Sequence, residues 1–120
     1  MRASVERGLS IGRAAEAAGV GVETIRFYER EGFIERPARP ATGPRLYSPE
    51  LVERIRFIQD TQRLGFTLAD VRELLALEAD AAAGRPGVAE RAAEAIAEVR
   101  AKIKGLHRLT DRLRKLAARS

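Results

Sequence analysis

Apolar residues recur along the chain at intervals of three and four in five segments, which predicts a mainly α-helical protein. The first two segments, residues 11–18 and 22–31, are short and are separated by a turn that contains Gly19. Ser10 is placed to cap the first helix, and Gly32 is a residue type common just past a helix end. Two short helices joined by a glycine-containing turn predict a helix-turn-helix, whose second helix enters the DNA major groove.

The second of these helices carries its apolar residues on one side. Val22 and Ile25, followed by Glu29 or Phe33, are predicted to follow the inner face. Arginine and tyrosine side chains suit phosphate and base-edge contacts, because they carry donors on long or rigid arms. A solvated helix surface is the simpler interpretation of any single arginine, but the whole set favours DNA contact. The polar-tipped side chains that fall outside the inner face are Thr24, Arg26, Tyr28 and Arg30.

The segment 33–47 contains three prolines and a glycine, which excludes a helix. Phe33 and Ile34 predict a short strand, and Leu46 and Tyr47 predict its return, so the segment is expected to form a wing. A basic hairpin beside a helix-turn-helix can place guanidinium groups on a run of phosphates. The arginines on this predicted wing are Arg36, Arg39 and Arg45.

Two further helices are predicted after the wing. Residues 48–50, Ser-Pro-Glu, are a strong helix start, and that helix is expected to end at Gly65. Thr67 and Asp70 predict a variant capping box for the next helix, with the shorter Asp in place of Glu or Gln. These two helices are expected to complete the core under the wing. Arg54 and Arg56 flank the apolar stripe of the helix that begins at residue 48. For each of them, a position on the solvated surface and a contact with a phosphate are equally open interpretations.

The last predicted element is a long helix over residues 88–118, preceded by a joint at 79–87 that contains Gly84, Pro86 and Gly87. A helix of this length spans about 45 Å. Its narrow apolar stripe predicts a coiled-coil seam that needs a partner helix, since so small a chain has little else to cover it. The alternative is that the helix folds back on its own domain. The stripe consists of Ile96, Val99, Ile103, Leu106, Leu109, Leu113 and Leu116.

Several of these stretches resemble the MerR family of bacterial transcription regulators. They are TIRFYEREGFI at 24–34, the Arg-Pro pairs at 36–37 and 39–40, Arg45-x-Tyr47, and RFIQDTQRLGFTLADVRELLALE at 56–78. Within that family, these stretches most resemble the sequences of the mercury-resistance regulators. Family members usually carry an aromatic residue before the wing arginine, where this chain has Pro44.

The resemblance implies a winged helix-turn-helix DNA-binding domain at 9–78, the joint at 79–87 and a C-terminal coiled-coil dimerisation helix at 88–118. It implies an antiparallel homodimer that binds a palindromic promoter element and distorts the promoter spacer, acting on RNA polymerase indirectly. Metal or stress resistance is the expected context. The residues expected to contact double-stranded promoter DNA are Arg13, Thr24, Arg26, Tyr28, Arg36, Arg39, Arg45 and Tyr47.

Length and charge fit this hypothesis. The 120 residues are enough for one domain but not for two sizeable ones, and the net charge of +5 suits a polyanionic partner. No apolar run approaches the length that a bilayer requires, so no membrane partner is expected. Residues 1–8 are expected to form an unstructured lead-in rather than a secretory signal, which places the protein in the cytoplasm.

Candidate chemistry beyond DNA binding is sparse. The chain has no cysteine, which excludes disulfides and thiolate metal sites. His107 and Asp111 are two ligands one turn apart, a poor metal site, and a histidine paired with Asp111 on a helix surface is the favoured interpretation. No nucleophile–base set or phosphate-binding loop is present, so neither enzymatic activity nor a cofactor is expected.

Two alternatives remain open at this level. The chain can be an interaction module without sensor cysteines, which forms heterodimers with a cysteine-bearing paralogue. It can also be a constitutive architectural protein that bends DNA without promoter selectivity.

Overall fold

The computed structural model describes residues 8–119, which fold into a mainly helical chain as predicted. The expected lead-in at 1–8 lies outside the described residues except for Gly8. The elements in chain order are α1 (Ile11–Ala18), α2 (Val22–Arg30), α3 (Pro49–Arg63), α4 (Leu68–Ala82) and α5 (Val88–Ala118).

Side-chain caps begin three of the helices, as the sequence predicts. The Oγ atoms of Ser10 and Ser48 accept hydrogen bonds from the amides three residues on, at 3.3 Å and 3.1 Å. Thr67 and Asp70 cap each other: the Thr67 amide donates to Asp70 Oδ2 at 2.9 Å, and the Asp70 amide donates to Thr67 Oγ1 at 3.1 Å. Each cap satisfies an amide that has no partner within its own helix, which fixes where these helices start.

The chain divides into two compact units between Arg72 and Glu73. In the first unit, α1 contacts both α2 and α3 through small buried alanines, which allow the helices to approach closely. The largest fully buried side chains are Tyr28, Ile25, Ile55, Ile58 and Val71. This core fixes α2 against the rest of the unit and leaves its opposite side exposed.

The segment between α2 and α3 is not the predicted hairpin. Among residues 8–119, the only β pairing is a single antiparallel bridge, in which Tyr47 exchanges two backbone hydrogen bonds with Leu9, at 2.9 Å and 2.7 Å. Phe33 and Ile34 are buried in the core instead of pairing with this return. The three prolines explain the difference, because each lacks the amide that a β ladder requires. The wing is therefore an irregular loop.

The second unit contains the end of α4, a turn and α5. Helix α4 continues to Ala82, so the predicted joint is helical over its first four residues, 79–82. Asp80 organises the turn that follows, because its carboxylate contacts Arg91 at 2.9 Å and Arg85 at 3.7 Å. Gly84 and Gly87 adopt φ of +70° and +84°, a conformation that glycine tolerates best.

Helix α5 presents an exposed apolar stripe. The seven residues of the predicted seam are between 43% and 55% exposed within the chain, from Val99 at the lower end to Leu106 and Leu113 at the upper. None of the residues of α5 is buried. Separately, none of the five described helices combines the length and apolar character needed to cross a bilayer.

Candidate nucleic-acid interface

Helix α2 has a buried face and an exposed face. Ile25 and Tyr28 are 0% and 1% exposed and hold the helix against the core. Arg26 and Arg30 are exposed, and Glu29 is half-buried between them. Positions 26, 29 and 30 lie on one side of a helix because they are three and four residues apart. This side therefore offers two cations and one carboxylate.

Tyr28 is part of the core and does not fit the expectation of a DNA contact. Its hydroxyl lies 3.0 Å from Gln59 Oε1 and 2.9 Å from Gln62 Oε1, and its one proton can be donated to either. Burial raises the pKa of Tyr28, an effect that nearby Arg63 opposes. The spacing of three residues from Ile25 places Tyr28 on the inner face, which its polar tip concealed in the sequence.

Arg45 is held within the wing. Its Nε donates a 2.8 Å hydrogen bond to the carbonyl oxygen of Pro37, and the side chain is half-buried. The bond closes residues 37–45 of the wing, the part that carries Arg39, and Arg36 directly precedes it. Arg45 therefore shapes the loop in addition to contributing positive charge.

Tyr47 ties the end of the wing to α2. Its ring is 3% exposed, and its hydroxyl donates a 2.6 Å hydrogen bond to Glu29 Oε2. Burial and the Glu29 carboxylate raise the pKa of Tyr47 to about 12, although the positive charges of Arg36 and Arg26 oppose this. The hydroxyl is therefore protonated, and able to donate, throughout the neutral range.

The side chains of Arg45, Tyr47 and the exposed side of α2 line a groove of about 630 Å³, which lies between the start of α1, α2 and the wing. Five arginines and one acid line it among the described residues: Arg26, Arg30, Arg36, Arg39, Arg45 and Glu29. Clustered guanidinium groups with long, exposed arms are suited to phosphate oxygens. The groove has the charge and the donors to bind a polyanion.

The groove brings together five of the eight residues predicted to contact DNA: Arg26, Arg36, Arg39, Arg45 and Tyr47. Arg13 and Thr24 do not line it, and Tyr28 lies in the core. Arg30, one of the α2 side chains for which the sequence favoured DNA contact, also lines the groove. Glu29, predicted as one option for the inner face, lies on the groove side instead, and Phe33 is the buried one of the two. The three-residue spacing of Glu29 from Arg26 is a signal that could have identified it.

Two arginines of α3 cap the end of α1. Arg56 donates to the carbonyl oxygen of Ala17 at 2.6 Å, and Arg63 donates to that of Gly19 at 3.4 Å. The last carbonyls of a helix have no partner within it and carry partial negative charge, so cations are favourable there. Arg56 thus has a structural partner at the end of α1 while it remains exposed on the surface, and a phosphate contact by it stays a prediction.

Two other arginines contact the exit of α2. Arg54 Nε donates to the carbonyl oxygen of Phe33 at 3.1 Å. Arg72 donates to the carbonyl oxygen of Glu31 at 3.0 Å, and its guanidinium lies 4.3 Å from the centre of the Phe33 ring. These contacts fix the direction in which the wing leaves α2.

The described residues do not bring three or more His, Cys, Asp or Glu side chains together as a metal site would. On α5, Asp111 contacts Arg114 at 3.5 Å, rather than the expected partner His107.

Two family models match the chain. Residues 9–78 match the model described as MerR HTH family regulatory protein, and residues 52–116 match the model described as MerR, DNA binding. The chain belongs to the MerR family. The resemblance predicted from the motifs of α2, the wing and α3–α4 is confirmed.

Relatives with names were found in several bacteria. The chain is 51% identical over 70 residues to the mercuric resistance operon regulatory protein of Pseudomonas fluorescens, which covers 58% of this chain and 49% of that protein. It is 36% identical over 110 residues to the HTH-type transcriptional regulator HmrR of Sinorhizobium medicae (strain WSM419). That match covers 92% of this chain and 75% of HmrR. The chain thus spans about half the length of the mercuric resistance relatives that it matches.

Solved structures with the same fold include other MerR-family regulators. PbrR691 from Ralstonia metallidurans CH34, crystallised with lead(II), is 35% identical, with a TM-score of 0.58 covering 90% of this chain and 84% of that one. HiNmlR, described as a MerR family regulator lacking the sensor domain and bound to promoter DNA, has a TM-score of 0.65. The match to HiNmlR covers 87% of this chain and 79% of HiNmlR at 23% identity, so it supports the fold alone.

Proposed function

We propose that this MerR-family chain is a sequence-specific DNA-binding transcription regulator that binds a palindromic promoter element as a homodimer. The observation that carries the proposal is the arginine-lined groove beside the exposed side of α2. In a helix-turn-helix, the second helix reads base edges while surrounding cations position it on phosphates. Family membership and the named regulators among its relatives support the same activity.

The contacts divide by chemistry. Arg26 is exposed at the middle of α2 and is proposed to reach a base edge, because arginine pairs well with guanine O6 and N7. Arg30, Arg36 and Arg39 line the groove and are proposed to bind phosphates. Arg13 on the exposed side of α1 and the half-buried Thr24 on α2 remain proposed supporting contacts.

The homodimer is proposed to form through α5. A stripe that is roughly half exposed over seven apolar residues gains most by pairing with the same stripe of a second copy. The charges favour an antiparallel pair, because Glu90, Glu94 and Glu98 precede a segment from Arg100 onward whose one acid is Asp111. In that orientation the acidic beginning of each helix lies beside the basic end of the other.

The parts of the chain then have separate proposed tasks. Residues 9–78 are the DNA-binding domain, 79–87 the joint and 88–118 the dimerisation helix. Two such domains held at a fixed separation read two half-sites and can bend and untwist the promoter spacer between them. The effect on RNA polymerase is through this DNA distortion.

Metal or stress resistance is the proposed context, because several named relatives are mercuric resistance or heavy-metal-dependent regulators. Soft metal ions prefer thiolate ligands, and none of these 120 residues is a cysteine. A thiolate that received such a signal would therefore lie outside these 120 residues. One arrangement that would supply it is a second candidate function, in which the chain pairs through α5 with a cysteine-bearing paralogue.

Selection of duplexes from fragmented genomic DNA tests the main proposal. The purified chain is expected to enrich a palindromic promoter element, and Arg26→Ala is expected to reduce the affinity and to relax the base preference at one position of each half-site. Enrichment without any preferred sequence would support an architectural protein instead. Unchanged affinity in Arg26→Ala would overturn the role of α2, and a mixed dimer with a cysteine-bearing paralogue would favour the second candidate.

A further inference from the structure

One carboxylate lies among the arginines of the groove. Glu29 is half-buried on α2, between Arg26 and Arg30, and lines the groove with five guanidinium groups. A groove that only bound phosphates would gain affinity by replacing this acid with a neutral residue, because a carboxylate repels a phosphate. The position of Glu29 is therefore unfavourable for uniform backbone binding.

The carboxylate is held in place. Tyr47, 3% exposed and fixed by two backbone hydrogen bonds to Leu9, donates its hydroxyl proton to Glu29 Oε2 at 2.6 Å. Arg36 and Arg26 are near enough to this pair to oppose the rise in the pKa of Tyr47. Glu29 thus has a defined orientation within the positive field, whereas a solvated surface acid would be free to turn away.

We infer that Glu29 is a selectivity residue, whose carboxylate accepts a hydrogen bond from a base amino group and disfavours phosphate in the same place. Cytosine N4 is the amino group that a carboxylate recognises in the major groove. A DNA site with cytosine at this position donates a hydrogen bond to the Glu29 carboxylate. A DNA site without it leaves the carboxylate facing phosphates and water. This inference rests on the proposed function of the groove in DNA binding.

Two consequences separate this role from a structural one. Glu29→Gln keeps an oxygen that can accept the Tyr47 hydrogen bond but removes the charge. We expect its affinity for mixed-sequence duplex to rise about fivefold, the effect of one unit charge about 4 Å from a phosphate in water. We also expect selection from a random duplex pool to lose a cytosine preference at one position of each half-site, since glutamine pairs better with adenine.

Glu31→Gln is the matched control, because it makes the same change of charge at an exposed position that does not line the groove. Thermal unfolding of both variants checks that the domain stays folded. Suppose that the wild type binds DNA but the two variants have identical affinity for mixed-sequence duplex and identical base preference. That result overturns the inference about Glu29 and leaves the proposed function standing. Failure of the wild type to bind any duplex overturns the proposed function and this inference with it. A rise in affinity and a lost cytosine preference in Glu29→Gln only are the expected result.

Discussion

The hydroxyl of Tyr47 and the carboxylate of Glu29, 2.6 Å apart, join the end of the wing to the exposed side of α2. The Tyr47 backbone is fixed at the same time by its bridge to Leu9. One residue therefore sets both the path of the wing and the orientation of an acid in the groove. Hydrogen bonds to an ionised acceptor are stronger than neutral ones, so this link should be measurable both in stability and in binding.

Replacing Tyr47 with phenylalanine should lower the free energy of unfolding by about 1.5–3 kcal/mol, because a hydrogen bond to a charged acceptor is lost. The ring and its packing are retained, so the domain should still fold. We also expect weaker binding to a selected duplex, since the hydrogen bond that joins the wing to Glu29 is lost. Urea unfolding and duplex titration measure the two effects; stability and affinity both equal to those of the wild type would show that the link contributes neither.

The pH dependence of stability should carry a signature of the same residue. The pKa of Tyr47 is raised from 10.0 to about 12 in the folded chain, so the folded state holds the proton more tightly than the unfolded state. The stabilisation is complete below about pH 10 and is lost as the pH rises towards 12. Tyr28, whose pKa is also raised, acts in the same direction.

Urea unfolding between pH 8 and 12 tests this expectation. The wild type should lose stability in the upper part of this range, and Tyr47→Phe should lose less, because one of the two groups is missing. Parallel curves for wild type and variant would contradict the assignment.

Tyr28→Phe separates a core role from a DNA contact. The hydroxyl near Gln59 and Gln62 is removed while the buried ring remains, so we expect a loss of about 1 kcal/mol in stability. Affinity for a selected duplex should stay within about twofold of the wild type, because that hydroxyl faces the core. A large loss of affinity with unchanged stability would restore Tyr28 to the contact surface.

The helices of this chain were predictable because their signals are local. The caps at Ser10, Ser48 and Thr67–Asp70 and the apolar spacing lie within a few residues of the elements that they begin. The wing was not predictable in the same way, since Tyr47 pairs with Leu9, far away in sequence. The arginines show the same limit: residue type indicated a cation, but only the fold shows that Arg56 caps α1 while Arg36 lines the groove.

Arg45→Ala and Arg39→Ala compare two wing arginines of equal charge. Arg39 lines the groove, whereas Arg45 also donates to the Pro37 carbonyl and shapes the loop. Both variants should lower affinity and reduce its salt dependence by about one phosphate contact. Arg45→Ala should lose more affinity at high salt, where charge effects are screened and loop shape still matters. Equal losses at all salt concentrations would indicate that Arg45 contributes charge alone.

Leu106→Asp and Ala101→Asp test the proposed dimer through α5. Both introduce one acid at an exposed position of the same helix, but only Leu106 belongs to the apolar stripe. An unpaired carboxylate enclosed between two apolar seams costs several kcal/mol, so Leu106→Asp should be monomeric where the wild type is dimeric. Ala101→Asp should remain dimeric, since its side chain would point away from the seam. Analytical ultracentrifugation measures both masses, and a Leu106→Asp dimer as tight as that of the wild type would place the interface elsewhere.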